Sequence, residues 1–189
     1  MSLYIPIILG TARAGRRSEH VVQHVLNFAK QLDIEVELLD VKDFRQAFTQ
    51  EPIEKMNEWK EKATRADGFV VVTPEYNHGY PGELKMFFDH IYRECNRKPI
   101  GFVGVSTGIL GGARGIEQLR LVSIEFQMVP IRTAVYVGNV LTTLDEAGNF
   151  VAPEDWNKKF GQLFEELLWY ARVLKNDRQA WNEARAVKA

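Results

Sequence analysis

At 189 residues, 46% of them hydrophobic, the chain can bury one proper core and is too short for two comfortable domains. Its 24 basic and 25 acidic residues remove any general electrostatic reason to bind nucleic acid or an anionic membrane. One cysteine, Cys95, excludes an intrachain disulfide and a multi-cysteine metal site, and it points to a reduced, cytoplasmic setting.

The chain opens on "LYIPIIL" (3–9), which reads as a strand and not as a signal peptide, because no basic stretch precedes it and no small-residue cleavage site follows. Proline is poorly tolerated in a central strand, so Pro6 is expected at its beginning, with pairing from Ile7 to Leu9. A helical pattern over Ser18–Gln31 leads to "IEVELLD" (34–40). The stretch 41–52 carries no readable role beyond a place near the mouth of a site. Further helices are expected over Ile53–Ala66, Gly82–Arg93 and Gly115–Gln127, between strands at 68–73, 100–106 and 131–138. A last helix starts near Pro153, with Trp156, Phe160, Leu163, Phe164, Leu167, Leu168, Ala171 and Leu174 on one face. Strands alternating with helices imply one parallel sheet covered on both sides. No apolar stretch approaches the roughly 20 residues of a membrane span.

Ligands of such sheets bind beyond the carboxyl ends of the strands, at the topological switch point. Three loops are therefore decisive: "GTARAGRRS" (10–18), "PEYNHGYPG" (74–82) and "TGILGGARG" (107–115). In the first, Gly10 and Gly15 have P-loop spacing, but Arg16 and Arg17 stand where Lys and Ser or Thr should follow. Strand three ends in Thr73-Pro74 and offers no aspartate for magnesium. A terminal monophosphate suits the loop better than a triphosphate. Ser18 is placed to cap the next helix, whose free amides and dipole favour an anion. Thr11 offers a hydroxyl, and Arg13 or Arg17 a charge-assisted bond. The competing reading is a solvated basic turn with an ordinary serine cap. Asp40 ends strand two where a dinucleotide fold would hold a ribose, yet "GTARAG" lacks the G-x-G-x-x-G pattern.

The second loop is more specific. P-E-Y-N (74–77) followed by P-G-x-L-K (81–85) and Asp89 resembles the NAD(P)H-dependent FMN reductase family of flavodoxin-like quinone, flavin and azo reductases. The likeness extends through the first loop and "STGILGGARG" (106–115) and covers about residues 3 to 140. It implies a doubly wound five-stranded parallel sheet of order 2-1-3-4-5, with helices on both faces, and a single flavodoxin-like FMN-binding domain over 1–189. Thr11, Arg13, Arg17 and Ser18 would hold the phosphate of FMN. Pro74, Glu75, Tyr76 and Asn77 would frame the isoalloxazine, with His78 beside it. Ser106, Thr107, Gly108, Gly111 and Gly112 would approach the other edge of the ring. NAD(P)H would be the co-substrate, and a quinone, free flavin, azo dye or metal ion the small-molecule acceptor. The flavin would carry the reaction, so no side-chain acid or base is required. The resemblance also implies a homodimer, or a dimer of dimers.

This chain departs from the family in three places. Met86 replaces the Asn of L-K-N, Thr11 stands for the more usual Ser, and the two-cysteine motif of iron–sulfur relatives is absent. Two other readings stay open: a non-catalytic flavin-binding electron carrier, and a magnesium-requiring phosphotransferase. Lys85 and Asp89 read as a surface pair, Glu83 as a residue favouring a helix N-terminus, and His90 as structural. His20 and His24 share a helix face but have no third ligand in view. The helices over 82–93 and 115–127 are apolar nearly all round, which fits a dense core or a subunit contact.

Overall fold

The structure is a computed structural model that describes residues 2–44 and 54–186. Five strands, β1 (Leu3–Leu9), β2 (Ile34–Asp40), β3 (Phe69–Pro74), β4 (Pro99–Val105) and β5 (Val129–Val137), form one sheet of order β2-β1-β3-β4-β5. All four pairings are parallel. The helices are α1 (Ser18–Ala29), α2 (Glu54–Arg65), α3 (Gly82–Phe88), α4 (Ala113–Glu125), a single turn α5 (Val140–Thr143), and α6 (Pro153–Ala186). Among the described residues no helix is long and apolar enough to cross a membrane.

Strand alternation divides the core into two layers. Leu3, Ile5, Ile7 and Leu9 face α1 and α6, where Val21, Val25, Phe160, Leu163 and Phe164 cover them. Tyr4 and Ile8, with Val71 and Phe102, face α2, α3 and α4 through Met56, Trp59, Leu84, Phe87, Ile116 and Leu119. The central strands are buried on both faces, which is why "FVVVT" reads as an unbroken apolar run.

Two expectations need correction. Pro6 lies inside β1 and not at its start, because pairing with β2 already runs from Leu3. Pairing with β3 does begin at Ile7. The amides of Tyr4 and Gly10 point to the β3 side. Pro6 shares their parity, so its missing N–H faces the one stretch where β1 has no strand beside it. The helix expected over 82–93 ends at Phe88. The ring of His90, through Nδ1, takes the carbonyl of Met86 at 2.7 Å, the acceptor a continuing helix would give to the amide of residue 90. Ile53 and the stretch 45–52 lie outside the described residues.

β5 is irregular: its register shifts between Ile100 and Phe102. Two side chains satisfy the backbone groups this frees. Glu166 accepts from the amides of Arg132 (3.1 Å) and Thr133 (2.9 Å), and Arg120 donates to the carbonyls of Ile131 and Arg132. Lys85 and Asp89 form the exposed pair expected of them, at 2.6 Å. His24 lies 3.1 Å from the Gly148 carbonyl with its ring against Phe150, so it docks the 144–150 turn on α1.

Candidate active site

The order 2-1-3 puts the end of β1 at the switch point, and the loops after β1, β3 and β4 gather beyond the carboxyl edge. In the first loop Gly10 is held by its amide to the Val72 carbonyl (2.8 Å); a Cβ there would lie 2.9 Å from Leu84. Thr11 is fully buried. Its hydroxyl donates to Glu83 (2.9 Å) and so receives the proton of the Tyr76 hydroxyl (2.8 Å). Glu83 also accepts the amide of Ala12 (3.0 Å). The Thr11 hydroxyl, expected to face a phosphate, is thus turned toward α3, where it braces the loop.

The three arginines separate. Arg16 is buried and donates to the Thr11 carbonyl and to both oxygens of Asp40. Burial works against the charged carboxylate, but Arg16 and the Lys42 amide and side chain outweigh it and hold Asp40 below its usual range. Asp40 is therefore engaged inside the protein. Arg13 and Arg17 are exposed, and the Arg13 guanidinium carbon lies 5.8 Å from the Tyr76 ring centroid. Arg17, not Ser18, occupies the cap position of α1, and no side chain caps the helix. Ser18 is the first helical residue, and its buried Oγ has no protein partner. A buried hydroxyl without a protein partner at a helix N-terminus, next to an exposed arginine, fits a phosphate.

The second loop closes in a tight turn. Tyr76 and Gly79 exchange backbone bonds of 2.8 and 3.0 Å, and Asn77 (φ 49°) and His78 (φ 72°) are both left-handed. This is the primed turn in which Asn-Gly is the usual pair. His78 holds the glycine position because α4 clamps it. Arg114 Nη1 donates to His78 Nε2 at 2.7 Å, which makes Nε2 the acceptor nitrogen, and Gln118 donates to the His78 carbonyl at 2.9 Å. Arg114 also pairs with Glu75, whose side chain is only 5% exposed, through its backbone amide (3.1 Å) and Nε (2.6 Å).

The third loop leans on β5. The Ser106 amide reaches Val137 (3.0 Å), and the Ser106 hydroxyl donates to the Gly108 carbonyl (2.8 Å). Gly111 and Gly112 are left-handed (φ 57° and 85°), and a Cβ on Gly111 would lie 2.6 Å from the Tyr136 carbonyl carbon. These two glycines are required by the packing of the loop on the sheet.

Glu75, Asn77, His78, Ser106, Thr107 and Gly108, with Ile109, Leu110 and Arg114, line a cavity of about 470 Å³. Thr11, Arg13, Arg17 and Ser18 stand outside it; Thr11 bonds to Tyr76, which lies between Glu75 and Asn77 of its wall. Pro74 ends β3 beneath the wall, and Gly111 and Gly112 lie behind it. Three participants were not read from the sequence in these roles: Glu83 as the clamp of loop one, and Arg114 and Gln118 as the clamps of loop two. Arg114 did leave a trace, since it lies within the glycine-rich third loop.

An all-parallel sheet of this order, with a glycine- and arginine-bearing loop after β1 and a cavity between the loops after β3 and β4, has the architecture of a flavodoxin-like fold. Residues 3–142 match the family described as NADPH-dependent FMN reductase. An NAD(P)H-dependent FMN reductase of Schizosaccharomyces pombe is 32% identical over 182 residues, covering 85% of this chain and 90% of that protein. A 2-hydroxy-1,4-benzoquinone reductase of Burkholderia sp. is 27% identical over 173 residues (87% and 93%). The fold matches that of the flavoenzyme NAD(P)H:acceptor oxidoreductase FerB of Paracoccus denitrificans, with a TM-score of 0.76 at 19% identity over 90% of this chain and 98% of that one. The chain belongs to the NADPH-dependent FMN reductase family. It is an FMN-dependent oxidoreductase that draws on NAD(P)H.

Proposed function

We propose that the chain is a single FMN-binding domain that reduces small flat acceptors, quinones first among them, with azo dyes, free flavins and metal ions as further candidates. The observation that carries the assignment of the phosphate end is the buried, unpartnered Ser18 hydroxyl beside Arg17 at the start of α1. Arg17, Arg13, Ser18 and the dipole of α1 hold the phosphate. Pro74, Glu75, Tyr76, Asn77 and His78 take one side of the ring, and Ser106, Thr107 and Gly108 the other, with Gly111 and Gly112 setting that loop's height. Thr11 acts from behind through Tyr76 and Glu83. Bound FMN supplies the hydride chemistry between NAD(P)H and the acceptor. The protein orients the two partners and limits water in the cavity. Main-chain donors of 107–112 would favour negative charge at the ring edge.

The reading extends to assembly. Leu121 and Ile124, three apart on α4, are 70% and 60% exposed, and Ile109 at the cavity rim is 81% exposed. An apolar rim and helix face of this kind suit a homodimer, or a dimer of dimers, that shelters the ring edge. Sedimentation at micromolar concentration should give twice the chain mass or more; a monomer would remove this part. The buried thiol of Cys95 suits the cytoplasm.

The first test is a visible spectrum of the protein with added FMN, then with NADPH under nitrogen. Perturbed flavin bands that bleach without a partner protein support the enzyme. Flavin that binds and stays yellow with NADPH and NADH would leave an electron carrier.

A further inference from the structure

We propose that the opposite end of the sheet carries a second binding site, for a doubly charged oxyanion such as a phosphate group. A cleft of about 560 Å³ lies there, walled by Tyr92, Arg93, Arg97, Lys98, Arg178 and Trp181. It sits at the amino-terminal ends of the strands: Lys98 directly precedes β4, and Gln127, also in its wall, lies just before β5. It shares no residue with the flavin cavity.

The charge of the cleft is one-sided. Its wall holds four cations, Arg93, Arg97, Lys98 and Arg178, against one carboxylate, Glu94. Arg178 of the wall (3.0 Å) shares the carboxylate of Asp67 with Lys175 (2.8 Å). Arg97 lies with its guanidinium carbon 4.5 Å from the Trp181 ring centroid, with its backbone in the left-handed region (φ 59°). That geometry fixes a charged group over the cleft wall.

Lys98 is the buried member. It is 3% exposed, and its Nζ donates to the carbonyls of Ala63 (2.6 Å) and Thr64 (2.7 Å), which end α2. Among the described residues no carboxylate lies within ion-pair distance of it. An ammonium has three N–H groups, so one remains for a ligand. Burial first and the Arg178 charge second push Lys98 down to about 7, with Asp67, Cys95 and Glu94 opposing more weakly. A bound dianion would hold Lys98 in its charged form, so binding takes up a proton near neutrality. Capping α2 alone would need only two N–H groups, which the uncharged amine already has.

The test uses FMN-loaded protein and sulfate, a dianion that does not titrate near neutral pH, with chloride holding ionic strength constant. Calorimetry and tryptophan fluorescence should show saturable binding. Arg97→Gln and Lys98→Met should each weaken it at least tenfold, and Lys30→Gln, which removes an exposed cation outside the cleft, should leave it unchanged. Arg97→Gln keeps the test decisive if Lys98→Met does not fold. Binding should tighten severalfold from pH 8.5 to 6.5 in the parent and not in Lys98→Met. A second arm compares phosphate with a nucleoside monophosphate. Tighter nucleotide binding marks the phosphate end of a larger metabolite, equal binding marks the free ion, and both support the site. Failure to saturate at tens of millimolar, or equal binding by parent and both variants, overturns it.

Discussion

The two ends of the sheet use charge in opposite ways. At the amino-terminal end the ion pairs face inward and tie distant segments: Asp67 accepts from the Tyr4 amide (3.1 Å), from Lys175 and from Arg178, locking β1 to the far part of α6. At the carboxyl end charged side chains brace the loops from behind. Arg16 grips Asp40, Glu83 grips Thr11, and Glu75 grips Arg114. The neighbouring side chains of Arg17, Ser18 and Asn77 are left outside these pairs. At the amino-terminal end the Asp67 cluster ties the fold beside the cationic cleft, and at the carboxyl end the ion pairs brace loops whose exposed residues line the flavin site.

Asp67→Ala should separate the ends most sharply. It strands two cations and a buried amide, and breaking such a cluster costs about 3–5 kcal/mol. Urea unfolding should show the loss, with FMN affinity of the folded protein unchanged. A parallel fall in FMN affinity would mean that the two ends are mechanically coupled.

Arg17→Ala should do the reverse. Removing an exposed charge-assisted contact to phosphate is worth about 1.5–3 kcal/mol, or a ten- to hundredfold weaker FMN complex by flavin fluorescence. The unfolding midpoint should hold. Arg16→Ala, one residue away, should lower stability by leaving the buried Asp40 with Lys42 alone. If the two variants behave alike, the division between brace and ligand fails.

That division also marks what the sequence can convey. β1 and β2 match their expected bounds to the residue, because apolar periodicity and Val/Ile content act locally. The three loops are legible as well, since glycine, proline and asparagine advertise unusual backbone. Arg13, Arg16 and Arg17, by contrast, are chemically equivalent in a linear reading. Only the sheet order, which sets the end of β2 beside the loop after β1, gives Asp40 to Arg16. The same holds for Glu83, which reads as a helix-start acid and acts as a loop clamp across 71 residues. The early end of α3 was unreadable for a related reason. It depends on the side chain of His90 competing for a backbone acceptor, which no hydrophobic pattern records.

A third prediction concerns pH at the closed end. Lys98 is lowered from 10.5 to about 7, so above pH 7 the unfolded chain binds the proton that the folded one releases. Stability should therefore rise with pH from 7 to 9, by about 1–2 kcal/mol. Burial raises the Cys95 thiol from 9.0 to about 12, which acts in the opposite direction above pH 9 and should flatten the curve. Lys98→Met should abolish the rise. FMN affinity should not follow it, because no group of the closed end lines the flavin cavity.

The smallest stability effect belongs to Gly108→Ala, and it tests the open end at its most exposed point. A Cβ on Gly108 meets nothing within 4 Å, whereas Gly111, three residues on, is left-handed and backs onto Tyr136. Alanine at 108 should therefore change stability by less than about 0.5 kcal/mol, while alanine at 111 would have to push the loop off β5. Yet Gly108 lines the cavity, and its carbonyl already accepts from Ser106 and Asn139. With those bonds fixing the backbone, an added methyl group has no path of retreat and would project where a flat ring must come close. Gly108→Ala should thus weaken FMN binding or raise the KM for the acceptor several-fold in a protein of parental stability. If neither changes, residue 108 stands at the rim of the cavity and the ring is met by Asn77 and Ser106 instead.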